Sequence, residues 1–82
     1  MGLKKLAAKV VDYNERLEGG KASKIKPRHV AKVLEKLRAK EAELEAEIAS
    51  TTSPEKTARL EGKLGVARTH IERAEWLLNE IS

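Results

Sequence analysis

Leu60, Leu64, Ala67, Ile71, Ala74, Leu78 and Ile81 follow one another at alternating steps of four and three, the spacing of an apolar seam along a coiled helix. A matching seam runs through Val30, Leu34, Leu37, Leu44 and Ile48, and Ser50-Thr51-Thr52-Ser53-Pro54 separates the two. Two such stripes on one short chain must bury each other, so the pattern predicts an antiparallel helical hairpin. Upstream, Leu3, Leu6, Val10, Tyr13 and Leu17 recur at steps of three and four and predict an amphipathic helix. The expected fold class is therefore all-α: a coiled-coil-like hairpin plus an N-terminal helix, forming a three-helix bundle or a swapped dimer according to where that helix packs.

Punctuation residues set the boundaries. Gly19-Gly20 stops the first helix, so it covers about 3–18, and a polar linker occupies 19–26. Pro27 suits the first turn of the second helix, because the amide it lacks would be unpaired there, and that helix runs to about residue 49. After a turn at 50–53, Ser53 caps a third helix over about 54–81, with Pro54 at its first position and Glu55 facing the positive end of its dipole. All of this forms one expected domain, 1–82.

Layer matching across the hairpin pairs Ile48 with Leu60, Leu44 with Leu64, Leu37 with Ile71, Leu34 with Ala74 and Val30 with Leu78. Glu41 falls opposite Ala67, where a short partner leaves room for the carboxylate to bend toward water. The same register sets Arg38 against Arg68 and Glu45 against Glu61, two like-charge misfits. Val33 and Leu77 widen the apolar stripe at the open end, where the first helix can dock with Tyr13 toward the hairpin. Gly62 and Gly65 face away from the seam at a cost of about 1 kcal/mol each. Either the helix frays there or something approaches its outer face closely.

Composition narrows the functional classes. With 82 residues, no Cys, no Phe, one Trp and one Tyr, the chain builds a thin core and no globular pocket, which favours self-association, most simply as a dimer. No apolar run approaches the roughly 20 residues of a membrane span, and Met1 to Leu17 alternates Lys with apolar residues, so a cytoplasmic protein without membrane contact is expected.

Charge is strongly polarised. Residues 1–40 hold twelve Lys and Arg against four acids, whereas residues 41–82 hold five against nine. Folding the two halves of the hairpin together neutralises part of that gradient. Lys21, Lys24, Lys26, Arg28, Lys32 and Lys36 nevertheless form a basic segment suited to phosphate contacts, with nucleic acid as the alternative partner. Stacking aromatics and a helix-turn-helix pattern are missing, so sequence-specific readout is not expected.

Catalytic chemistry finds no foothold. The hydroxyl residues cluster in the Ser50 to Ser53 turn, where capping accounts for them, and His29 and His70 lie on different helices without a second ligand at metal spacing. The acids of Glu41 to Glu47 fan around a helix, and Gly19-Gly20 begins no phosphate-binding motif. No enzyme, cofactor or metal site is expected. The leading expectation is a non-enzymatic protein-protein interaction or self-association module. Trp76, placed on the outer face of the third helix, would line its contact surface with Leu77, Val33 and Gly65.

Overall fold

A computed structural model describes residues 2–20 and 25–81 as three helices, α1 (Leu3–Glu18), α2 (Pro27–Ser50) and α3 (Pro54–Ile81). No strand occurs among the described residues. The helices form an elongated all-α bundle with extents of 47 × 19 × 18 Å. α2 and α3 make the antiparallel hairpin, and α1 lies on both at the open end.

Each helix end has a local cause. α1 closes through the Gly19 amide, which donates to the Glu15 carbonyl at 2.9 Å, and Gly20 follows at φ 75°, a left-handed conformation that glycine adopts without a side-chain clash. At the start of α2, extended Lys26 accepts from the amides of His29 (2.9 Å) and Val30 (3.2 Å), while Pro27 occupies the first turn. Ser53 caps α3: its Oγ accepts from the Lys56 amide at 3.4 Å, and its carbonyl accepts from the Thr57 hydroxyl at 2.9 Å.

The core divides into two clusters. Leu44, Leu60, Leu64 and Ala67 fill the hairpin near its turn, where α1 reaches in with Leu3. At the open end Leu6 and Val10 of α1 pack with Val30, Val33, Leu34 and Leu37 of α2 and with Ile71, Ala74 and Leu77 of α3. Leu3 touches both clusters and marks where α1 stops covering the hairpin.

Three details depart from the sequence reading. Leu77 is wholly buried, while its neighbour Leu78 on the expected seam stays partly exposed. A two-helix seam would face position 78 inward, but α1 pulls the buried arc of α3 around to 77. Ile25, assigned to a polar linker, is a core residue at 3% exposure and anchors the chain between α1 and α2. The charge misfits also disappear. Arg38 turns to Glu75, 3.2 Å away, and Arg68 donates to both Glu41 (3.1 Å) and Glu45 (2.7 Å). Long side chains swing to opposite charges one turn away, so the backbone register need not bring like charges together. Glu41 is therefore held by Arg68 instead of simply reaching water.

Candidate interaction surfaces

Trp76 sits on the outer face of α3 and is 45% exposed. The reason is helical phase: Leu77 points into the core, and its neighbour is turned about 100° away from it. The Arg73 guanidinium lies 5.8 Å from the centre of the indole ring, a cation-π arrangement that holds the indole against α3. With Thr69 and Glu72 these two residues line a shallow cleft. Gly65 shares this face, since its separation from Trp76 is close to a whole number of turns, and space is open where a Cβ would stand. α3 runs unbroken through Gly62 and Gly65, and no described residue outside the helix's own turns comes within 4 Å of where a Cβ would stand at either position.

The other two expected contact residues lie elsewhere. Val33 and Leu77 belong to the core, at 4% and 0% exposure, because α1 docks over them. They are the floor on which α1 rests, and a partner reaches them only if α1 leaves. Of the four residues singled out from sequence, the fold keeps Trp76 and Gly65 at the surface.

The basic segment is divided by the fold. Lys21 and Lys24 lie outside the described residues. Lys26, Arg28, Lys32 and Lys36 are exposed on α2 and its approach, and α1 adds Lys9 and Tyr13 beside them. Lys9, Tyr13, His29, Lys32 and Lys36 surround a small cleft between the two helices. Lys9, Arg28, Lys32 and Lys36 form no ion pair among the described residues, whereas Arg38 is engaged by Glu75 and Lys40 approaches Glu43 at 3.7 Å. Neutralisation by α3 thus reaches Arg38 and leaves the earlier cations free. Sequence reading missed Lys9 and Tyr13 because they are remote in the chain. The available hint was the place of Tyr13 on the α1 stripe, with Lys9 next to Val10 at its edge.

The Arg68 guanidinium is pulled from its ordinary value. Hydrogen bonds to Glu45 and then Glu41, with their charges, raise its pKa further above the arginine norm. That keeps the guanidinium charged and makes the trio a structural clamp. Elsewhere, His29 is exposed and His70 partly so, and among the described residues no three His, Cys, Asp or Glu side chains converge as metal ligands. No described helix is long and apolar enough to cross a membrane. No known protein family matches the chain, and neither a curated protein nor a solved structure matches it.

Proposed function

We propose that this chain is a non-enzymatic helical interaction module, one that self-associates as a dimer in the cytoplasm and offers the outer face of α3 to a protein partner. The observation that carries this reading is Trp76, a large aromatic left 45% exposed on the same face of α3 as Gly65, about three turns away. Aromatic side chains on otherwise polar helix faces are the usual anchors of protein contacts, because they bury much area with few rotamers to freeze. The small size of the bundle supports the same reading, since its core at the turn end rests on four buried residues, Leu44, Leu60, Leu64 and Ala67. Sedimentation equilibrium of the native chain and of Trp76→Ala tests it. A concentration-dependent dimer that weakens in the variant is expected. An unchanged profile together with unchanged recovery of bound proteins rejects this face.

A second reading has its own support in the unpaired cations Lys9, Arg28, Lys32 and Lys36. On it the chain is a nucleic-acid accessory protein that grips phosphates without reading bases. Affinity would fall steeply with salt, and each lysine or arginine converted to Gln among Lys24, Lys26 and Arg28 would reduce the slope by about 0.9 on duplex DNA. Absence of any DNA or RNA mobility shift at about 50 mM salt rejects it.

A further inference from the structure

α1 is much shorter than the helix it rests on. Its 16 residues against the 28 of α3 correspond to about 24 Å against about 42 Å of helix. Where α1 stops, an open groove of ≈ 780 Å³ remains between its first turns and the hairpin. Leu3, Ala7 and Val66 give that groove apolar walls, and Val66 is 46% exposed there. Gly62 lies between them with open space at its Cβ position, so another backbone can come close. Around this apolar strip stand Lys4, Lys40, Arg59 and Lys63, and among the described residues no carboxylate lines it. Lys4, Arg59 and Lys63 make no ion pair among the described residues, and Lys40 has only its longer contact with Glu43.

We propose that this groove is a docking site for an acidic amphipathic helix of another protein. Such a helix would lie beyond the end of α1 with its apolar stripe on Leu3 and Val66 and its carboxylates toward the four cations. Helices of this kind are recognised by grooves that supply an apolar floor, and opposite charge at the rim selects the partner. A phosphate backbone would use the cations and gain nothing from Leu3 or Val66. A second folded copy of this chain fits less well, because its acidic stretch on α2 already commits the intervening Leu44 and Ile48 to its own core. On α3 the groove is lined by Arg59, Gly62, Lys63 and Val66 and the Trp76 cleft by Thr69, Glu72 and Arg73, so the two share no lining residue and this site does not depend on the Trp76 surface.

The test is fluorescence anisotropy of the full chain with a labelled designed peptide, leucines at helical spacing flanked by Glu, and with its Lys-flanked twin. The acidic peptide should bind saturably and at least about tenfold more tightly than the twin. Exchanging two of the four rim cations, Arg59→Glu with Lys63→Glu, should cost about tenfold or more, and Gly62→Leu should block the groove while circular dichroism shows the helices intact. Trp76→Ala should leave the affinity unchanged. The proposal is overturned if the acidic peptide fails to bind, if the twin binds equally, if the rim or Gly62 variants bind like the native chain, or if binding requires Trp76. Preference for phosphatidylglycerol vesicles over the peptide, lost on the same rim exchange, would also overturn it.

Discussion

Arg68 on α3 reaches across the hairpin to Glu41 on α2, its Nε donating to the carboxylate at 3.1 Å, and its other arm takes Glu45 one turn away at 2.7 Å. Two acids spaced i, i+4 thus grip a single guanidinium and tie the two helices at mid-length. Arg68→Glu would gather three carboxylates at this point and lower the melting temperature, and Glu41→Lys in the same chain should recover much of the loss. Thermal melts at low and high salt check this, since screening should shrink the differences because the groups face solvent. The raised pKa of Arg68 fixes the sign with pH. Its stabilisation is fully present below the unfolded-state value and fades only as pH rises through the folded one, above the ordinary arginine value. Melting should therefore show no loss from this clamp between neutral and mildly alkaline pH.

Burial orders two neighbouring leucines. Leu77→Ala should cost about 2–5 kcal/mol, because it empties a fully enclosed site, and Leu78→Ala distinctly less. Urea unfolding of both variants checks the order, and the reverse result would place α1 elsewhere.

Glycines divide by conformation. Gly62→Ala and Gly65→Ala add a methyl to open space on a helix and should each stabilise by about 1 kcal/mol. Gly20→Ala, at φ 75°, should destabilise by about 1 kcal/mol. Denaturation midpoints of the three variants separate these signs.

The Ser53 cap is a local interaction of measurable size. Ser53→Ala removes the acceptor of the Lys56 amide and should lower stability by about 1 kcal/mol, with Ser53→Asn recovering most of it.

Trp76 separates contact from core. Trp76→Ala should change the unfolding free energy of the monomer by no more than about 0.5 kcal/mol, because the ring is half exposed and supported mainly by Arg73. Dilute-solution unfolding checks this. A loss comparable to that of Leu77→Ala would make the indole a structural residue.

The helices and their pairing were legible in the sequence because their causes are local. Apolar steps of three and four define a face, Pro27 and Pro54 open helices, and Gly19-Gly20 and Ser53 close or cap them through groups within four residues. The outer position of Trp76 followed from the same periodicity. Tertiary structure alone decided where α1 lies, and with it the burial of Val33, Leu77 and Ile25, the meeting of Lys9 with Lys32 and Lys36, and the groove between Lys4 and Lys63. These depend on how far one helix reaches along two others and how each is turned about its axis. Periodicity names the face of a helix, but the partner and the point where it stops are set by packing between residues far apart in the chain.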